Sequence, residues 1–325
     1  MCGITGFLYC SKRFDGSGLS QNVEAMANRL YHRGPDAGGI WTDPQAGVAL
    51  GHRRLSIIDL SAAGAQPMCS ASGRYVLTYN GEIYNFVAVR ETLASAGYSF
   101  KGHSDTEVLL AAIERWGLQC ALEAVHGMFA FGLWDREQRE LSLARDRIGK
   151  KPLYYGWSGD AFLFASELKA IRIHPEFDSI IDTGALSQFI QYGWISEPLS
   201  IYRDIRKLPP GACITVKAES SPWAPSVERY WAANRVMEAA RGDIYRGSFE
   251  QATDRLDELL TETVTERMVA DVDLGALLSG GIDSSTIVGV MQRHSERPVK
   301  TFCIGFDEKK YNEAEYASAI AKHLG

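Results

Sequence analysis

Met1-Cys2-Gly3-Ile4-Thr5-Gly6-Phe7-Leu8 opens the chain. Removal of Met1 leaves a cysteine at the terminus, so that one residue carries both a thiol and a free α-amine. A thiol with an ordinary pKa of about 8.5 is mostly protonated at neutral pH. An α-amine titrating near ~7.7–8.0 is a base of suitable strength to take that proton, and a nucleophile activated by an N-terminal amine is a known arrangement. The pairing predicts that Cys2 attacks an amide. The plain alternative is a chance Met-Cys start with an idle thiol, and four residues alone do not exclude it. Ile4–Leu8 adds that the chain enters a strand almost at once. A terminus is loose unless tied into a sheet, and a reacting terminus must be held.

The 325 residues suggest about two domains at ~150 residues each. A hydrophobic content of 46% and a charged content of 23% are ordinary for a globular protein. The net charge of −6 argues against a nucleic-acid partner. No apolar run approaches the ~20 residues needed to cross a bilayer, and the start lacks a signal-peptide pattern. The six scattered cysteines contain no C-x-x-C pair, which points to a reducing cytoplasm. The seven histidines show no zinc-ligand spacing.

Ser20 reads as an N-cap, followed by a helical stripe of Val23, Met26, Ala27 and Leu30. Strands are expected at Gly47–His52, Arg53–Leu60 and Arg74–Tyr79, the last ending in an Asn80-Gly81 tight turn with Glu82 behind it. Helices follow from Asn85 to Ala96 and from Ser104, the latter opened by a cap and two first-turn acids, Asp105 and Glu107. Paired strands at 128–135 and 140–145, then at 153–155 and 162–165, complete a pattern of strand runs with helices between. It suggests stacked antiparallel sheets with helices outside. Glu197–Arg229, containing Lys207-Leu-Pro-Pro-Gly211 and Ser220-Ser-Pro-Trp-Ala-Pro225, reads as the domain connection.

Beyond it, a helix from Ser248 to about Val269 carries Phe249, Leu256, Leu259, Leu260, Val264 and Met268 at helical spacing, a core-packing stripe. Leu274–Leu278 reads as a buried strand, Ser279–Ser285 as a Gly-rich turn, Thr286–Gln292 as a helix and Val299–Gly305 as a second strand, one unit of an open parallel α/β sheet. The turn has two glycines, serine hydroxyls and a helix N-terminus, which together suit an anion. It lacks the Lys-Ser/Thr ending of a Walker A loop, and an ordinary strand–helix connection is the competing reading.

SGGIDSS after LGALL resembles the pyrophosphate loop of the ATP pyrophosphatases. MCGITG, RGPD (33–36), HRRLSIIDL (52–60), NGEIYN (80–85) and SDTE (104–107) resemble class II glutamine amidotransferases. ARDRIGKKPLYY, FASELKAI and KLPPG extend the match, and the two modules in this order resemble glutamine-hydrolysing asparagine synthetase. The implied fold is an α+β N-terminal-nucleophile hydrolase sandwich (αββα) over residues 1–212. An incomplete α/β Rossmann-like ATP-pyrophosphatase domain is implied over 235–325.

The resemblance implies a role for each residue that matches a motif. Cys2 would attack glutamine. The Asn80 side chain and the Gly81 N–H would form the oxyanion hole. Arg54 would bind the substrate α-carboxylate and Asp105 its α-ammonium, with Glu82 completing the pocket. Ser279, Gly280, Gly281, Asp283 and Ser284 would cradle the phosphates of ATP, Asp283 through the nucleotide's Mg2+, and Leu277 and Ile304 would hold the adenine. Ammonia would amidate an ATP-activated aspartate, with a homodimer as the candidate assembly. Two alternatives stay open: another carboxylate acceptor, such as a sugar acid, or a truncated ammonia-donor subunit. The SGGIDSS loop argues against a glutamine-dependent phosphoribosyl or sugar-phosphate transferase. The family's ATP domain continues well past the point that matches Gly325, so glutaminase activity is expected of this chain ahead of synthetase activity.

Overall fold

The computed structural model describes residues 1–10, 18–218, 226–308 and 310–325. Its strands are β1 (Gly3–Tyr9), β2 (Ala37–Asp43), β3 (Val48–Arg54), β4 (Met68–Cys69), β5 (Tyr75–Ile83), β6 (Gly127–Asp135), β7 (Glu140–Arg145), β8 (Tyr154–Ser158), β9 (Ala161–Ala165), β10 (Ile205–Lys207), β11 (Ala212–Lys217), β12 (Val227–Arg229), β13 (Gly275–Leu277) and β14 (Lys300–Phe302). Its helices are α1 (Leu19–Asn28), α2 (Phe86–Ser95), α3 (Asp105–Trp116), α4 (Leu118–Ala124), α5 (Leu168–Ile171), α6 (Thr183–Tyr192), α7 (Ala233–Ala240), α8 (Phe249–Glu266), α9 (Ile282–Arg293) and α10 (Ala314–Leu324). The chain divides into two compact units, Met1–Ala239 and Ala240–Gly325.

In the first unit two six-stranded antiparallel sheets stack face to face, ordered β10-β8-β9-β1-β3-β2 and β12-β11-β7-β6-β5-β4. Strand periodicity explains the layering, because successive side chains leave on opposite faces. From β1, Ile4 and Leu8 enter the core between the sheets with Leu50, Trp134, Phe162 and Phe164. Phe7 leaves on the other face and packs with Val23 and Met26 of α1 and Leu30 just beyond it. On the far side Leu77, Tyr79 and Phe131 lie beneath Phe86 and Leu93 of α2 and Val108 and Leu109 of α3. The layer order is helix, sheet, sheet, helix, as expected of the αββα class. Strands buried on both faces, such as Phe162-Leu-Phe-Ala165, therefore read as unbroken apolar runs.

Four local expectations are corrected. Ser20 lies inside α1, and Gly18, in a left-handed conformation with no side-chain cap, precedes the helix. Leu55–Leu60 is not a strand: β3 ends at Arg54, and the chain curls around the Arg54 guanidinium, which donates to the carbonyls of Ile58, Asp59 and Ser61. Asn80-Gly81 is not a turn, since β5 runs on to Ile83 with Asn80 opposite Ala130 and Gly81 opposite Phe129. Lys207–Gly211 is not linker: β10 extends one sheet alongside β8, and β11 joins the other alongside β7. Ser220–Pro225 lies outside the described residues.

The second unit is a parallel β13–α9–β14 unit, flanked by α8 and α10. Ser248 and Gln251 close a capping box at the start of α8. Leu260, Val264 and Met268 pack against Val290, Met291 and Val299, and Leu278 and Val288 pack against Ala317 and Leu324. The rest of the expected core stripe does not pack: Phe249 is 83% exposed, and Leu256 and Leu259 also face out. Leu277 of the supposedly buried strand is 77% exposed. Among the described residues of this unit two strands pair, β13 and β14, and they leave Leu277 uncovered.

Candidate active site

Cys2 precedes β1, and its side chain opens into a cavity of about 150 Å³ that is also lined by Arg54, Asn80, Gly81, Glu82 and Asp105. The six residues expected to handle glutamine come from β3, β5, the first turn of α3 and the chain terminus. The sheet stack brings them together. The thiol sits against the next strand's exit: the Leu55 N–H donates to Cys2 Sγ at 3.4 Å, and Sγ lies 3.6 Å from Leu55 O. With Met1 in place, burial raises the thiol pKa, with the Leu55 hydrogen bond opposing. Burial likewise lowers the Met1 ammonium.

β5 supplies donors along the cavity wall. Asn80 is 1% exposed, and its Nδ2 has no acceptor among the described residues. A buried amide N–H normally has a partner, and this unused one lines the same cavity as the Cys2 thiol. The Tyr79 N–H donates to Gln66 Oε1 (2.7 Å) and the Ile83 N–H to Asp105 Oδ2 (2.9 Å). The two-residue period of a strand turns the intervening Gly81 N–H toward that same edge. Glycine is needed there because a Cβ would lie 2.4 Å from Met128 O.

Asp105 is more than a helix-start acid. It is buried, and Oδ2 also accepts the Tyr79 hydroxyl at 2.7 Å. Burial raises its carboxyl pKa, against the Ile83 and Tyr79 hydrogen bonds. Glu82 is also raised, first by burial. Arg54 is buried and has no ion-pair partner among the described residues; three loop carbonyls hold it. A buried cation without a counter-charge is costly, so this pocket is set up for an anion.

Five residues around the site were not assigned roles from the sequence. Arg33 donates through Nε to Cys2 O at 2.9 Å and pairs with Glu167 at 2.9 Å, fixing the Cys2 backbone. Lys151 lines the cavity, and burial holds its amine below the ordinary lysine range, with Glu82 and Cys2 opposing. Asp146 aims that loop by accepting the N–H groups of Ile148, Lys150 and Lys151, while Arg145 grips the carbonyls of Gly149 and Lys151. His52 bridges the sheets, its Nε2 lying 3.0 Å from Tyr79 O. A carbonyl only accepts, so Nε2 carries the proton. The RGPD, ARDRIGKKPLYY and HRRLSIIDL motifs contain these residues, but their roles depend on long-range packing.

In the second unit, Ser279 and Ser284 join hydroxyl to hydroxyl at 2.7 Å, and the Gly281 N–H donates to Ser279 Oγ at 3.2 Å. Gly281 precedes α9 without a side-chain cap, leaving the first-turn N–H groups open. A Cβ at Gly280 would lie 2.7 Å from Tyr316 Cβ. Asp283 is exposed in that first turn. Leu277 and Ile304, 77% and 71% exposed, line a cleft of about 660 Å³ with Ser279, Ser284, Phe302 and Tyr311. The described residues contain no cluster of three His, Cys, Asp or Glu able to hold a metal, and no helix long and apolar enough to cross a membrane.

Comparison with known proteins matches residues 1–231 to the glutamine amidotransferase domain and residues 255–325 to asparagine synthase. Asparagine synthetase [glutamine-hydrolyzing] 3 of Bacillus subtilis is 34% identical, covering 97% of this chain and 50% of that protein. A putative asparagine synthetase [glutamine-hydrolyzing] of Mycobacterium tuberculosis is 35% identical, covering 100% of this chain and 51% of that protein. The chain thus spans about half the length of these relatives. Among solved structures, glutamine phosphoribosylpyrophosphate amidotransferase from B. subtilis superposes with a TM-score of 0.52 at 23% identity, covering 70% of this chain and 49% of that one. At that identity it speaks for the fold alone. The chain therefore belongs to the glutamine amidotransferase family, and its residues 255–325 match the asparagine synthase family model.

Proposed function

We propose that the first unit hydrolyses glutamine to glutamate and ammonia, and that the ammonia serves an ATP-dependent amidation of aspartate. The unused Nδ2 donor of Asn80, buried in the same cavity as the Cys2 thiol, carries the reading. With Met1 removed, the Cys2 α-amine takes the thiol proton and sulfur attacks the carboxamide carbon. The resulting oxyanion meets Asn80 Nδ2 and the Gly81 N–H, donors already in position before reaction. The ammonium then protonates the departing nitrogen, and ammonia leaves a thioester. Water, deprotonated by the same amine, cleaves the thioester and restores the thiol. Arg54 takes the α-carboxylate by a charge-assisted bond, and Asp105 with Glu82 takes the α-ammonium.

In the second unit the open helix N-terminus and serine pair suit phosphate oxygens, and the apolar pair Leu277 and Ile304 suits a base. ATP fits this donor set. Its Mg2+ would arrive with the nucleotide and meet Asp283, and the bound nucleotide would supply the adenylyl group that activates the acceptor's carboxylate, with pyrophosphate as the leaving group. Aspartate as acceptor rests on the relatives' names. The test is ammonia release from glutamine by the purified chain with its N-terminus checked by mass. Cys2→Ala should abolish release, and unchanged release would overturn the reading.

A further inference from the structure

Asp59 lies beside this pocket rather than in its lining, hydrogen-bonded to Arg54 and His103, and the roles above do not use it. It is fully buried and adopts φ 55, a left-handed conformation uncommon for a residue with a side chain. Its backbone carbonyl accepts from Arg54 Nη2. Its Oδ1 accepts the Ser61 N–H at 3.1 Å and the Ser61 hydroxyl at 2.5 Å. Its Oδ2 accepts the His103 N–H at 2.9 Å, with His103 Nδ1 at 3.7 Å. His103 directly precedes the Ser104 cap of α3 and Asp105, so one residue joins the collar around Arg54 to the helix end that carries Asp105.

The surroundings are built closely around it. A Cβ on Gly102 would lie 2.3 Å from Asp59 Oδ2, and one on Gly64 would lie 2.8 Å from Asp59 O. Burial alone would raise the Asp59 carboxyl, but the bonds from Ser61 and His103 hold it below the usual carboxylate range. Buried hydrogen bonds to an ionised carboxylate are the strong kind.

We propose that Asp59 is a positioning residue for amino-acid recognition: it fixes the spacing between Arg54 and Asp105, and so the preference for an amide that carries an α-carboxylate and an α-ammonium. This rests on the assignment of Arg54 and Asp105 as the groups that bind those two charges.

The test compares Asp59→Gly, Asp59→Asn and Gly102→Ala with the parent chain. Glycine adopts φ 55 without strain, so Asp59→Gly removes the carboxylate and leaves the loop path available. Gly102→Ala keeps Asp59 but pushes on Oδ2, giving a second route if Asp59→Gly does not fold. The KM for glutamine should rise about 10-fold or more in all three, with kcat within about 3-fold. Alkylation of Cys2 by iodoacetamide, a small reagent lacking both charged groups, should keep its rate within about 2-fold. An unchanged KM overturns the proposal, and so does a loss of alkylation in step with the rise in KM, which would mean general collapse of the pocket. Arg54→Ala run alongside separates the two levels. If it too leaves KM unchanged, the assignment of the pocket fails; if it raises KM while the three variants do not, only the role of Asp59 fails.

Discussion

The Leu55 N–H lies 3.4 Å from Cys2 Sγ, so a backbone donor one residue beyond β3 faces the sulfur at the start of β1. Gly3 and Arg53 are paired across the same two strands, which makes this approach a consequence of sheet register. In the chain bearing Met1, burial outweighs that donor and raises the thiol pKa. Iodoacetamide should therefore alkylate Cys2 slowly while Met1 is present and about 10-fold faster or more once it is removed and the Cys2 amine is free. Peptide mass mapping of chains with and without Met1 reads the difference. Equal rates would count against the amine as base.

Asn80→Ala should lower kcat for glutamine hydrolysis by about 10²–10³-fold, the usual cost of losing one oxyanion donor. Because Nδ2 has no acceptor among the described residues, the same change removes no hydrogen bond seen at that atom. The melting temperature should move little compared with the rate. A large loss of stability with near-normal turnover would reassign Asn80 to the core.

Gly81→Ala should act the opposite way, through the fold. The new Cβ would meet Met128 O at 2.4 Å, and a backbone carbonyl in the paired strand cannot swing aside. Overpacking of this kind costs about 1–3 kcal/mol, which lowers the melting temperature by several degrees, about 2–4 °C per kcal/mol. Calorimetry on the variant checks it.

Two buried imidazoles set an acid limit. Burial lowers the His52 pKa to about 3 and the His174 pKa to about 4. The unfolded chain takes up these protons near pH ~6.5, whereas the folded chain does so only near the lowered values. Between those limits the unfolded state holds more protons, so stability falls as pH falls, by up to about 1.4 kcal/mol per pH unit for each group. Above pH ~6.5 this contribution is fully present. Denaturant melts from pH 7 to 4 measure the slope, and NMR should find neither ring titrating above pH 5.

Much of this was legible in the sequence because the relevant signals are local. The Ile4–Leu8 run, the Ser104 cap and the paired strands at 128–145 depend on neighbours within a few residues. Failures came where distant groups decide the outcome. Asn80-Gly81 has turn chemistry, yet pairing with Ala130 and Phe129 carries the strand through it. Leu55–Leu60 reads as a β-type run, yet Arg54 draws the carbonyls of Ile58 and Asp59 into a collar. Lys207–Gly211 looks like a linker, yet Lys207 ends β10 and Ala212 begins β11, and these strands join two different sheets. In the second unit the stripe of α8 reads as core, but Phe249 and Leu256 find nothing to cover them among the described residues. Lys151 enters the cavity only because Asp146 and Arg145 fold its loop inward, and spacing does not encode that.

β1 lies inside its sheet, hydrogen-bonded to β3 along one edge and to β9 along the other. A pull on the amino end must therefore shear two ladders at once, since there is no free edge from which the strand could be peeled. A partner tugging on that end would strain the whole sandwich before shifting the sulfur. Conversely, any softening of the sandwich would reach the sulfur directly, which makes reactivity at the terminus a gauge of how firmly the two sheets are clasped.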